Sequence, residues 1–175
     1  MPLPDMPSLN ELHIKKFASK VTHNSEPNLV PVFYHPEKWA SHGMCFENVS
    51  LKVQSSGGEV IFGWTFHYCN VGHLEAVHHA VWKAPDHRLV DITPFGDSMR
   101  PMLMYQENYI RFLVNNDSKP MEPKPGLPLA LLSKFYPLND DKGSLELIRQ
   151  LELKEEQECE KNIRIFCQGM LYSNR

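Results

Sequence analysis

Apolar and polar positions are patterned most regularly between Gly58 and Phe95. From about Val60 to Tyr68, β-branched and aromatic residues dominate and Trp64, Phe66 and Tyr68 fall on one face, which predicts a strand whose aromatic face packs into a core. Asn70-Val71-Gly72 supplies turn chemistry, and a second strand is expected from about Leu74 to Trp82. Ala84-Pro85-Asp86 interrupts the pattern. A third strand then runs from Arg88 to Thr93, and Pro94 ends it. Upstream, Cys45 to Gln54 fits two periods at once. Cys45, Val49 and Val53 recur at helical spacing, whereas Val49, Leu51 and Val53 alternate as a strand would. Gly43 before the segment and Ser55-Ser56-Gly57-Gly58 after it are natural stops, so a helix beginning near Cys45 is expected.

The flanks are less regular. Ser8 and Glu11 have capping-box spacing, and Leu9, Leu12, Phe17 and Val21 mark a helix from about Leu9 to Lys20. Val32 to Tyr34 reads as a short strand, Met102 to Met104 as a brief one, and Ile110, Phe112 and Val114 alternate in another. Asn115 to Pro128 is a proline-loaded connection, Leu129 to Tyr136 a short helix, and Ser144 to Ile163 a longer one. The acidic run Glu155-Glu156-Gln157-Glu158 places the second half of that last helix in solvent. The expected architecture is one α+β domain over residues 1–175. A helix carrying a cysteine packs on an antiparallel sheet carrying histidine and aspartate, with residues 42–117 as the core and helical extensions on either side.

Composition narrows the function classes. The chain has 175 residues, of which 42 % are hydrophobic and 22 % charged, which suits a globular fold with its own core. A net charge of -3 gives no electrostatic reason to expect nucleic acid or an anionic membrane as partner. No apolar run reaches membrane-spanning length, and the first residues lack a basic stretch followed by an apolar one, so a cytoplasmic protein is expected. Cys45, Cys69, Cys159 and Cys167 form no C-x-x-C pair and read as reduced thiols. Five of the nine histidines lie between His67 and His87. His67, Cys69, His73, His78 and His79 are therefore weighed as metal ligands. H-x-C-x-x-x-H is an unfamiliar zinc spacing, and His78 and His79 point to opposite sides of a strand, so no metal and no cofactor are expected.

Cys45, His79 and Asp91 form the other constellation. A cysteine in the first turn of a helix meets unpaired backbone N–H groups and the positive dipole end, which stabilise a thiolate. If the second and third central strands pair, His79 and Asp91 become cross-strand neighbours on one face. A cysteine beside an imidazole, itself held by a carboxylate, is the arrangement of nucleophile, base and orienting acceptor. Each residue also has a structural reading: a small buried hydrophobe, a hydrogen-bonded strand histidine, and a strand-ending aspartate.

Cys45-Phe46-Glu47-Asn48-Val49, Gly63-Trp64, His79-Ala80-Val81-Trp82 and Leu89-Val90-Asp91-Ile92-Thr93-Pro94 resemble motifs of uncharacterised bacterial and phage-type proteins. Their order is similar to that in the papain-like and transglutaminase-like Cys-His-Asp superfamily, including its NlpC-like branch. The resemblance covers about Met44 to Pro94, extending toward Asp117. It implies a papain-like or NlpC-like fold and a cysteine hydrolase or acyl transferase acting on an amide or ester of unspecified identity. Cys45 is then the nucleophile, His79 the general base and acid, and Asp91 the orienter. No glutamine stands shortly before Cys45 as it does in papain-type enzymes, so His42 or backbone N–H groups would stabilise the oxyanion. The alternative expectation is a binding module on the same fold, with or without a metal on the histidine-rich hairpin. The sequence sets no oligomeric state.

Overall fold

A computed structural model describes residues 12–69, 72–96, 104–105, 109–124 and 127–172. It is an α+β structure with three helices and nine strands among those residues. In chain order these are α1 (Leu12–Thr22), β1 (Leu29–Tyr34), α2 (Cys45–Ser56), β2 (Glu59–Cys69), β3 (His73–Lys83) and β4 (Leu89–Asp91). Then follow β5 (Met104–Tyr105), β6 (Tyr109–Val114), β7 (Met121–Lys124), β8 (Leu127–Leu129), β9 (Lys134–Pro137) and α3 (Lys142–Tyr172). Ser8, Glu11, Asn70, Val71, Met102 and Leu103, which the sequence reading assigned to a cap, a turn and a strand, lie outside the described residues.

The hairpin of β2 and β3 is in register over eleven pairs, from Glu59 opposite Lys83 to Cys69 opposite His73. Around it the sheet closes on itself. β4 pairs β3, β1 pairs β4, β6 pairs both β1 and β2, and the order β1-β4-β3-β2-β6 forms a five-stranded barrel-like ring. The strands carrying His79 and Asp91 pair antiparallel as expected, and the sheet departs from the expectation where β1 and β4 run parallel. Closure pairs strand edges that would otherwise stand open. Val32, Tyr34, Ile61, Val81, Ile110 and Phe112 fill the interior. Gly63 lies where three strands converge, opposite His79 on β3 and Val114 on β6. A Cβ there would collide with the Leu113 carbonyl oxygen and stand 2.7 Å from the Phe112 ring, so the close approach of β6 requires glycine.

Two helices cover the outer face of the hairpin. α1 buries Ile14, Phe17 and Ala18 against Trp64, Phe66, Leu74 and Ala76, which accounts for the aromatic alternation of β2. α2 buries Phe46 and Val49 against Ala80, Val90 and Ile92. Each such large apolar side chain stabilises the fold by about 2 kcal/mol. The helix expected over Leu129 to Tyr136 is absent. Leu129 ends β8, and Lys134–Pro137 pairs with His73, Leu74, Glu75 and Ala76 of β3. Backbone pairing at the hairpin's end overrides the helical propensity of Leu-Ala-Leu-Leu, and Phe135 and Tyr136 suit a strand.

Candidate active site

The barrel topology leaves one gap along β3. β4 pairs Trp82 and Lys83, β9 pairs His73 to Ala76, and neither takes up residues 77–81 between them. The N-terminus of α2 is seated at this gap. Its N-cap residue, Met44, has no side-chain cap to offer, and helical hydrogen bonding begins with Asn48 N–H donating to the Met44 carbonyl at 2.8 Å. The N–H groups of Cys45, Phe46 and Glu47 therefore have no helical acceptor, and the positive end of the dipole falls on Cys45.

His79 points to the barrel side of β3 and is buried together with Asp91. Because Val90 is opposite Trp82, Asp91 lies diagonally across from His79, within side-chain reach on the same face. The imidazole Nε2–H donates to Asp91 Oδ2 at 2.8 Å, and the Thr93 backbone N–H donates to Asp91 Oδ1 at 3.0 Å. Both carboxylate oxygens are thus engaged by donors. With Nε2 committed to Asp91, Nδ1 is the ring nitrogen left to exchange a proton with a neighbour. That neighbour is Cys45, seated at the start of α2 and near enough to the ring to raise its pKa. Burial alone would favour a neutral imidazole. The Asp91 charge, then Cys45 and the hydrogen bonds from both, outweigh it and hold the His79 pKa well above the usual 6.5.

The network closes through a residue that the sequence reading quoted without a role. Asn48 follows Cys45 by three positions on the same helical face and is buried. Its Nδ2 donates to the Ser41 carbonyl at 2.8 Å and to Thr93 Oγ1 at 3.2 Å, while its Oδ1 accepts the Ser41 N–H at 3.1 Å. One side chain therefore ties the loop before the cysteine, the helix carrying it and the segment that follows Asp91. The C-x-x-N spacing was the signal that could have found it.

The other histidines are set differently. His78 points to the opposite sheet face, as strand alternation requires, with its ring 5.0 Å from Phe46 and 5.1 Å from Trp64. Leu131 N–H donates to its Nδ1 at 2.9 Å, so its proton is on Nε2, which donates to the Ser118 carbonyl at 2.6 Å. Burial, and the charge on His79, lower its pKa. His67 shares the inner face with His79. Its Nε2 lies 3.2 Å from Thr65 Oγ1, and burial followed by the His79 charge push its pKa down to about 4. His73 and Cys69 are at the far end of the hairpin, and the Cys69 thiol is pushed up to about 11 by burial and then by Glu75. Among the described residues no three His, Cys, Asp or Glu side chains converge on a common point for a metal.

A cleft of about 600 Å³ opens over Cys45 and His79. His42 is exposed at its rim, beside Gly96, and Pro128, Leu129 and Ala130 form part of its wall. Neither Trp39 nor Trp82 lines it. Trp82 instead donates its indole N–H to the Gly57 carbonyl at 2.9 Å. No helix among the described residues is long and apolar enough to cross a membrane. Comparisons of the chain with protein families, with curated proteins and with solved structures find no match.

Proposed function

We propose that the protein is a cysteine hydrolase or acyl transferase that works through a thioester on Cys45. The observation that carries this reading is the hydrogen bond from His79 to buried Asp91, with Cys45 at the start of α2 and His79 lining the same open cleft. The Cys45 thiol first gives its proton to His79 Nδ1, and the resulting thiolate then attacks the carbonyl carbon of an amide or ester. The tetrahedral oxyanion takes hydrogen bonds from the first-turn N–H groups of α2, with His42 at the rim as a second donor. His79 returns the proton to the departing amine or alcohol. Water or an acceptor then attacks the thioester, again giving up its proton to His79, and the acid or new acyl product leaves. Asp91 holds the ring in the tautomer this requires and stabilises the imidazolium.

Kinship with the papain-like and NlpC-like enzymes belongs to the same proposal. It is supported by a cysteine at a helix start, a histidine and an aspartate on neighbouring antiparallel strands, and the order Cys, His, Asp along the chain. The test is thiol labelling with iodoacetamide near pH 6, read by peptide mass spectrometry, alongside acyl-enzyme formation from 4-nitrophenyl acetate. Cys45 is expected to label ahead of Cys69 and Cys159 and to gain one acyl group, and His79→Ala should abolish both. Equal labelling that ignores His79→Ala would leave a binding module in place of an enzyme.

A further inference from the structure

We propose that the acyl group accepted by Cys45 is uncharged and mainly apolar and carries one secondary amide, and that His67 is the specificity residue that meets this amide. The inference rests on the thioester chemistry above and names the substrate class of that same site.

Three features of the cleft converge on this class. First, its volume of about 600 Å³ far exceeds the needs of a small acyl group, and its walls include Met44, Phe46, Val77, Phe95 and Leu129. Concave apolar sites of this size hold sizeable apolar groups oriented by a few fixed polar atoms. Second, among the described residues neither lysine nor arginine lines the cleft, whereas Glu47 does. An anionic acyl group would lose its hydration without meeting a counter-charge, and would face a carboxylate. A cationic group would be drawn to Glu47 but pressed against the His79 imidazolium.

Third, the polar atoms in the walls are mostly occupied. Both nitrogens of His78 are bonded to Leu131 and Ser118, and Thr93 Oγ1 takes a hydrogen bond from Asn48. His67 differs. Its Nε2 is anchored by Thr65, and no described residue takes its Nδ1, although the side chain lines the cleft. The ring is thus fixed at one nitrogen and open at the other, as expected of a recognition group. A histidine that stays uncharged through the physiological range offers a neutral hydrogen-bonding site beside the cationic His79. A secondary amide supplies both an N–H and a carbonyl, so it satisfies Nδ1 in either tautomer.

The test compares three activated esters on the full chain, following 4-nitrophenolate release and the acyl-enzyme mass. They are 4-nitrophenyl acetate, 4-nitrophenyl 3-phenylpropanoate, and the 4-nitrophenyl ester of N-acetylphenylalanine, which adds the amide to the phenylpropanoyl frame. We expect kcat/KM, after division by each ester's rate with free cysteine, to rise at least about tenfold from acetate to phenylpropanoate as apolar surface is buried. A further rise of about fivefold is expected with the amide. His67→Leu should bring the amide-to-phenylpropanoate ratio close to one, and His67→Gln, which keeps a neutral hydrogen-bonding group, should restore part of it. Acylation of Cys45 with no preference between acetate and phenylpropanoate, or an amide preference untouched by His67→Leu, would overturn the inference and leave the thioester chemistry standing. No acylation of Cys45 by any ester would overturn both.

Discussion

Asp91→Asn is the most informative single change, because the surroundings of Asp91 dictate which way the new amide must face. One carboxylate oxygen accepts the Thr93 N–H at 3.0 Å and the other accepts His79 Nε2–H at 2.8 Å. The amide replacing it has one acceptor and one donor group. Turning the NH₂ toward Thr93 would set two donors against each other in a buried site, so the amide oxygen stays with Thr93 and the NH₂ faces His79. The imidazole must then accept at Nε2, which moves its proton to Nδ1, the nitrogen that faces Cys45. A ring protonated there is no base for the thiol. Wrong-tautomer substitutions of this kind lower turnover by about 10⁴-fold in serine proteases, and about 10³ to 10⁴ is expected here.

The fold should survive the change. Shape and one hydrogen bond are kept, and His79 can shed its proton once its charge partner is gone, so the cost is about 1–3 kcal/mol. The pH dependence of stability should change as well. A histidine whose folded pKa lies above 6.5 stabilises the native state fully below the unfolded value and loses that contribution as pH rises through the folded one. Asp91→Asn removes this contribution, so the loss of stability should be greater at pH 6 than at pH 9. Urea unfolding at the two pH values and acylation kinetics with 4-nitrophenyl acetate check both parts. A variant that folds normally and acylates Cys45 at the original rate would refute the tautomer argument.

Three further outcomes follow from the packing. His67 resists protonation in the fold but not in the unfolded chain, so it should cost about 2 kcal/mol of stability between pH 8 and pH 5, with pKa values of about 4 folded and about 6.5 unfolded; His67→Gln should flatten the urea-derived pH profile by that amount. Asn48→Ala removes hydrogen bonds to Ser41 and Thr93 and should cost about 2 kcal/mol in urea unfolding. It should also slow acylation of Cys45 about tenfold, because the loop and helix that place the sulfur are no longer tied to the Asp91 segment. Gly63→Ala would drive a methyl group into the Leu113 carbonyl and the Phe112 ring and should cost about 3 kcal/mol by thermal or chemical denaturation.

The central hairpin was legible because its signals are local: alternation on both strands, a turn between them, and breakers at either end. The helix at Cys45 was legible only through its boundaries, since Val49, Leu51 and Val53 fit a strand equally well. Once β3 and β4 were taken to pair, the shared face of His79 and Asp91 followed from the two-residue period. The barrel was not legible. Its closure depends on β1 reaching β4 on one side and β6 on the other, pairings remote in sequence that Val32-Phe33-Tyr34 does not announce. The same applies to Lys134–Pro137, whose strand conformation is imposed by the end of β3. Asn48 and His67 were missed for a different reason. Their roles depend on what stands opposite, Thr93 and Ser41 for one and the cleft for the other.

The histidine clustering now has a physical account that needs no shared ligand. β3 carries two adjacent histidines, and alternation sends them to opposite environments. His79 meets a carboxylate and a thiol and is held in its cationic range, whereas His78 meets a carbonyl and an N–H and is held neutral. His67, on the neighbouring strand, meets only a hydroxyl among the described residues, with the cation of His79 nearby, and is held neutral further still. The three settings depend on one another. Cationic His79 disfavours protons on both of its neighbours, and their neutrality in turn leaves no competing positive charge beside the imidazolium. One titrating histidine flanked by two that stay neutral, one on its own strand and one on the neighbouring strand, concentrates the proton-transfer capacity of the cleft on the single ring beside Cys45. This is the distribution that thioester chemistry near neutral pH requires.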